Sequence, residues 1–195
     1  SRYYSLYAAG KTPYALSGKP ALPYEEQIDR LVKEIEEAEC ILVGGASGLS
    51  AAGGGDFYYE DNASYRKYFR KYAEKYHFKG AFDGMMRQWD SREEFWGYLA
   101  TFLHTTQTAG VREPYRDLDR LLQGKDFFVI TTNQDTQFVK IYPETQVAQI
   151  QGDQRFFQCA GCCTDDTWDA VKPVEEMVKA MGEGTSVPLE LIPRC

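Results

Sequence analysis

Two short apolar runs constrain this chain more than anything else in it. They are CILVGG at 40–45 and the start of DFFVITTN at 126–133. Each is too short for a buried helix, and the second is rich in β-branched and aromatic residues, so both read as buried strands. The residues between them carry helical periodicity instead. Residues 62–77 place Tyr65, Tyr68, Phe69, Tyr72 and Tyr76 at helical spacing. A further helix begins at SREE, where Ser91 can cap and Glu94 can answer it. Its expected buried face carries Phe95, Trp96, Leu99, Phe102 and Leu103. Residues 24–38, with Ile28, Leu31, Val32 and Ile35 on one face, and 115–122 also read as helices, and TQVAQIQG at 145–152 reads as a weaker third strand. Strands alternating with helices predict an α/β fold built on a parallel sheet.

Parallel strands deliver their carboxyl ends to one edge, where ligands bind. The segment after the first strand, GASGLSAAGGGDF at 45–57, is dense in glycine and reads as a loop. Glycine lets backbone approach a diphosphate closely, and turn N–H groups favour anions. Its spacing is not that of G-x-G-x-x-G, nor of a nucleoside-triphosphate P-loop. A mobile surface loop is the alternative reading. After the second strand comes TTNQD at 131–135, and after the third QIQGD at 149–153. Without further context, NQD after a strand is a turn whose side chains bond to backbone.

The three segments together resemble the motifs of the sirtuin family. Gly45, Ala46, Gly53, Asp56 and Phe57 match the first sirtuin motif, with Ser47 where that family has a third glycine. Thr131, Asn133 and Asp135 match the second, and Gly152 matches the third. Gln151 stands where a deacylating sirtuin has its catalytic histidine, and Tyr58 where the usual arginine follows Asp-Phe. These departures, and the continuation through Gly152, Asp153, Phe157, Gln158 and Cys159, are similar to the class M sirtuins, the macrodomain-linked group of bacteria and fungi.

That resemblance implies a Rossmann-like parallel sheet with helices on both faces and a small zinc-binding-type module. It implies NAD-dependent transfer of ADP-ribose to a protein acceptor, a lipoyl-carrier protein related to the glycine cleavage H protein, with a partner macrodomain hydrolase removing the mark. Asn133, Gln151 and Asp135 are then the catalytic candidates. The cofactor-binding candidates are Gly45, Ala46, Ser47, Gly53, Asp56, Phe57 and Thr132, together with those three. An amide at 151 is chemically consistent with this activity. Deacylation needs a base to take a ribose hydroxyl proton, and an uncharged carboxamide has no practical basicity. Holding a sugar while its bond to nicotinamide breaks needs position and electrostatics, not a base. Residual deacylation or NAD hydrolysis, and a nucleotide-binding module without turnover, are the alternatives.

Five cysteines, three of them in CAGCC at 159–163, read as metal binding in a reducing compartment rather than as a disulfide framework. Cys159 and Cys162 form a C-x₂-C pair, and Cys195 is the third zinc candidate, standing where a second pair would open. The sequence therefore reads as a truncated form: an arm over 1–23, an incomplete NAD-binding domain over 24–152, and an incomplete zinc-type module over 153–195. Cys40 reads as buried packing at a strand start.

The formal net charge of −7 argues against non-specific nucleic-acid binding. No apolar run is long enough to span a membrane, and the expected location is the cytoplasm. The basic, aromatic stretch YRKYFRKYAEKYHFK at 65–79 reads as a solvated cationic face over a core stripe, with contact to an acidic carrier or to phosphates as the alternative. His77 and His104, the two histidines, read as structural. Met85, Met86 and Trp89 read as core, with a place in a cleft as the alternative.

Overall fold

The computed structural model describes residues 22–194. The arm expected over 1–23 lies almost wholly outside the described residues, as does Cys195. The described residues fall into two compact units that divide between Glu39 and Cys40. The first contains α1 (Tyr24–Glu37), with Glu25 and Glu26 in its first turn, where carboxylates complement the helix dipole. None of the described helices is long and apolar enough to cross a membrane.

The second unit is mixed α/β. Its parallel sheet runs in the order β1 (Cys40–Gly45), β2 (Asp126–Thr131), β3 (Val147–Gln149). In register, Gly45 faces Thr131 and Thr131 faces Gln149, so all three strands stop at one level. The long connection from β1 to β2 holds α2 (Ser47–Ser50), α3 (Ala63–Tyr76), α4 (Ala81–Met85), α5 (Arg92–Thr108) and α6 (Glu113–Leu122).

One face of the sheet presents Ile41, Val43, Phe127, Val129 and Val147, which pack with Tyr115, Leu118 and Leu122 of α6 and with Phe138 and Tyr142. On the other face Leu42, Phe128 and Ile130 are exposed. Helices were expected on both faces; within this unit the described residues cover one. Strand side chains alternate between faces, and Cys40 falls on the same face as Leu42. It is therefore exposed, not buried packing as expected.

A second core is almost entirely aromatic. Phe57, Tyr58, Tyr65, Phe69, Tyr72, Tyr98 and Phe102 pack where α3 and α5 meet. Asn62 caps α3 by accepting the Tyr65 N–H at 2.9 Å, and His77 ends it in the left-handed region at φ 59°. Ser91 caps α5 by accepting the Glu94 N–H at 3.1 Å. Glu94 does not complete the expected capping box. Its carboxylate turns inward to Lys75 and accepts from the Thr185 hydroxyl at 3.1 Å. The buried face of α5 is also rotated from expectation. Tyr98, Ala100, Phe102 and Leu103 are buried, while Phe95, Trp96 and Leu99 are only half-buried. Tyr98 lies inside the aromatic cluster and donates to the Ala81 carbonyl.

The cations of α3 are used locally. Arg66 pairs with Asp61 at 2.8 Å, Arg70 with Glu74 at 2.7 Å, and Lys71 donates to the Gly184 carbonyl at 2.5 Å. This is the solvated face over a core stripe, with Tyr65, Phe69 and Tyr72 buried beneath. Met86 is 89% exposed, whereas Trp89 sits in the aromatic cluster and donates to the Gly84 carbonyl at 3.0 Å.

Beyond the sheet, β4 (Phe156–Gln158) and β5 (Thr167–Asp169) form an antiparallel pair. Helix α7 (Val171–Met181) then packs on α5 through Met177, Met181 and Ala100, joined by Val187 and Ile192.

Candidate active site

The common stopping level of the three strands gathers the three sequence motifs. The Gly45 carbonyl accepts the Thr131 hydroxyl at 3.0 Å and the Thr132 N–H at 3.1 Å. The Thr131 carbonyl accepts the Ile150 N–H at 3.0 Å. Residues 46–47, 132–135 and 150–151 therefore leave the sheet side by side.

The glycine-rich segment, expected as a loop, begins and ends in helical turns and breaks from helical geometry at Gly53 and Gly54. Helix α2 continues into a wider turn over Ala51–Gly55, kinked at Gly53 and Gly54, and then a 3₁₀ turn at Asp56–Tyr58. Serine, leucine and the two alanines at 47–52 support the first turns. The glycines then serve particular needs. Gly54 takes φ 86°, and a Cβ on Gly55 would lie 2.6 Å from the Ser50 carbonyl oxygen. The wide turn carries Phe57 and Tyr58 into the aromatic core, 2% and 4% exposed.

Behind the strand ends lies a buried polar network. The Asn133 side-chain nitrogen donates to the Ala46 carbonyl at 3.0 Å and to the Tyr115 hydroxyl at 2.9 Å. Ser50 Oγ lies 2.5 Å from Tyr115 OH and 2.5 Å from Asp135 Oδ2. Burial, reinforced by the Asp135 charge, pushes the Tyr115 hydroxyl up to about 12, against the opposing hydrogen bonds of Ser50 and Asn133 and the nearby Arg112. Burial likewise pushes the Tyr58 hydroxyl well above the ordinary tyrosine range, with Asp135 adding to the shift and Arg112 opposing it. After Asp135 the chain turns at Thr136 with φ 66°, an uncommon conformation for a β-branched residue, held by burial at 2% exposure. Gln137 braces the same turn, accepting the Arg112 N–H at 2.8 Å and donating to the Gly110 carbonyl at 3.2 Å.

In front of this network is a cleft of about 300 Å³. Its polar wall holds Ser47, Thr132, Asn133, Asp135 and Gln151, all candidates from the sequence, together with Gln134 and Gln154. Tyr58, Tyr59, Phe82 and Phe102 form the aromatic wall. Neither histidine lines it. Gln134 donates to the Gln151 carbonyl at 2.6 Å, tying the second motif to the third. Gly45 and Ala46 lie behind the wall as hydrogen-bond acceptors. Gly53, Asp56 and Phe57 are not among the residues lining the cleft. The Gly53 carbonyl accepts from the Arg112 guanidinium at 3.3 Å, and that guanidinium also lies over the Phe57 ring.

Sequence reasoning passed over Ser50, Tyr115, Phe82, Phe102 and Gln154. Gln154 was discoverable, since it follows the third motif directly. Phe82, Phe102 and Tyr115 reach the site through tertiary packing alone.

Among the cysteines, Cys159 is buried with its sulfur 3.0 Å from that of Cys163, while Cys162 is exposed. The described residues hold no group of three or more side chains placed to bind a metal. A structural zinc ordinarily takes four ligands. The described residues do not assemble that set.

Comparison with known proteins adds a direction. The chain is 30% identical over 174 residues to "Protein ADP-ribosyltransferase" of Staphylococcus aureus (strain Mu50), covering 87% of this chain and 53% of that protein. It is 26% identical over 179 residues to "Probable bifunctional ADP-ribose hydrolase/ADP-ribosyltransferase" of Fusarium oxysporum f. sp. cubense, covering 80% of this chain and 28% of that protein. The chain thus spans about half the length of the first relative and under a third of the second. No family model matches it.

Proposed function

We propose that this chain carries the cleft of an NAD-dependent protein mono-ADP-ribosyltransferase of the sirtuin kind. The observation that carries the reading is the polar wall of the cleft: Asn133, Gln134, Gln151 and Gln154 supply carboxamides, Asp135 supplies the one carboxylate, and no imidazole is present. The names of the two similar proteins support the same activity.

In this reading the bond between nicotinamide and the ribose anomeric carbon breaks, and its electron pair leaves with nicotinamide. The ribose centre becomes oxocarbenium-like, and an anionic acceptor side chain forms the new bond without surrendering a proton. Asn133 and Gln151 hold the ribose by hydrogen bonds. Asp135, only 6% exposed, contributes a negative charge where positive charge develops, an interaction strengthened by the low local dielectric. The aromatic wall of Tyr58, Phe82 and Phe102 keeps bulk water from the reacting carbon. No step calls for a group that titrates near neutrality, and Gln151 cannot supply the base that deacylation requires.

The acceptor in this proposal is a lipoyl-carrier protein, and the mark is reversed by a macrodomain hydrolase. The test is intact-mass spectrometry of a purified lipoyl-carrier protein after incubation with the chain and NAD. A gain of one ADP-ribose on the acceptor supports the reading. Efficient deacylation of an acyl-lysine peptide with no gain on the acceptor overturns it.

A further inference from the structure

The Asn133 carboxamide has two chemically opposite ends, and its surroundings decide which one the cleft meets. A backbone carbonyl can only accept, so the group 3.0 Å from the Ala46 carbonyl oxygen is the amide nitrogen. That nitrogen has two hydrogens. The second is taken by the Tyr115 hydroxyl at 2.9 Å, with Ser50 Oγ further off at 3.3 Å. Both donors are thus spent toward the protein interior. The side-chain oxygen of Asn133, Oδ1, has no hydrogen-bond partner among the described residues, and the residue lines the cleft.

The direction of the remaining bonds follows. Asp135 Oδ2, as a carboxylate oxygen, accepts, so the Ser50 proton goes to it across 2.5 Å. Ser50 has no second proton, so Tyr115 must donate across the 2.5 Å between the two hydroxyls. The result is one ordered chain, Asn133 to Tyr115 to Ser50 to Asp135. Its middle members are fully buried, each at 0% exposure. Bonds aligned in this way polarise one another in a low dielectric.

We propose that Ser50 and Tyr115 are positioning residues that lock the Asn133 amide with its carbonyl oxygen toward the cleft, so that the site takes a hydrogen-bond donor there, namely a sugar hydroxyl. The claim about orientation stands on geometry alone. The identity of the sugar rests on the NAD-cleaving reading above.

The test is to compare Tyr115→Phe and Ser50→Ala with wild type in two measurements. The first is the side-chain amide signal of Asn133 in ¹⁵N-correlated NMR of the ligand-free protein, assigned by its loss in Asn133→Ala. In wild type the pair is expected to be protected from solvent exchange, and either variant should shift it and raise its exchange at least about tenfold, since each removes a partner from the chain. The second is steady-state nicotinamide release from NAD. Each variant is expected to lower kcat about 10- to 100-fold, the scale of a misoriented catalytic group, with KM for NAD changed less than about threefold. Ser50→Thr, which keeps the hydroxyl, should recover most of the rate. An unaltered Asn133 signal in a folded Tyr115→Phe or Ser50→Ala protein overturns the proposal, whatever the activity. So does an unaltered kcat in both variants when wild type turns over. A wild type that releases no nicotinamide contradicts the NAD-cleaving reading alone, and the amide signal still decides the orientation.

Discussion

Asn133 Nδ2 lies 3.0 Å from the carbonyl oxygen of Ala46, joining the residue that follows β1 to the motif that follows β2. The two positions are 87 residues apart in the chain, yet they leave the sheet at one level because Gly45 and Thr131 are in register. Replacing Asn133 by Asp turns a donor into an acceptor against that carbonyl. The variant is expected to lose about 1–3 kcal/mol of stability, the cost of an unsatisfied buried polar group. Urea denaturation checks it, and a shift in the midpoint without a change in slope is the expected form.

Gly55 is a second structural pivot of the site. A methyl group there meets the Ser50 carbonyl oxygen at 2.6 Å, so Gly55→Ala must displace the turn that holds Ser50. The expected loss is about 1–3 kcal/mol, as for overpacking elsewhere. Gly44, where an added Cβ meets nothing within 4 Å, is the control; alanine there should change stability by less than about 1 kcal/mol. Thermal melting of the two variants distinguishes the cases.

Glu94 gives the fold an acid-sensitive contact. Burial alone would raise its carboxyl, but hydrogen bonds from Lys75 and Thr185 outweigh it and hold the group below its ordinary value of 4.5. A depressed folded value stabilises the protein above the unfolded value, and that contribution is lost as pH falls through the folded one. Glu94→Gln is therefore expected to be less stable than wild type at pH 7 by about 1–3 kcal/mol. The gap should shrink below pH 4.5. Denaturation midpoints measured from pH 7 to pH 3 test this.

The tyrosines set the alkaline limit. Burial raises Tyr58, Tyr65, Tyr72, Tyr98 and Tyr142 above the ordinary value of 10.0, and raises Tyr115 to about 12. The unfolded chain gives up these protons near pH 10 while the folded one keeps them. Stability is therefore complete below pH 10 and falls as pH climbs toward 12. Tyrosinate absorbance should rise in a late step that coincides with loss of the folded circular dichroism signal. Smooth titration of every tyrosine near pH 10 in a folded protein contradicts this.

Much of the sheet was legible because its signal is local. The apolar runs at 40–45 and 126–131 became β1 and β2, and even the weak run before Gln151 supplied β3. The residues of the polar wall were named through the sirtuin resemblance rather than by a local signal. Ser47, Thr132, Asn133, Asp135 and Gln151 each lie just past a strand end, where a parallel sheet puts its ligand site. The remainder needed tertiary information. Ser50 looked like an ordinary loop residue until its part of the segment proved helical. Tyr115 carried no signal in the sequence beyond its place at the start of a helix; it is core, and its hydroxyl reaches Asn133. The face of α5 was legible in part: Phe102 and Leu103 are buried as expected, while Tyr98 and Ala100 are buried by tertiary packing against the aromatic cluster and α7.

The most direct test of a cleft that works through neutral carboxamides is the pH dependence of nicotinamide release from NAD, measured for wild type and for Gln151→His. Wild type is expected to show a flat kcat between pH 6 and 8, because the cleft holds no histidine and its Tyr58 hydroxyl titrates far above that window. Gln151→His should gain an inflection near about 6.5, the ordinary value of an imidazole. A wild-type profile that rises or falls through a single titration inside that window contradicts the account.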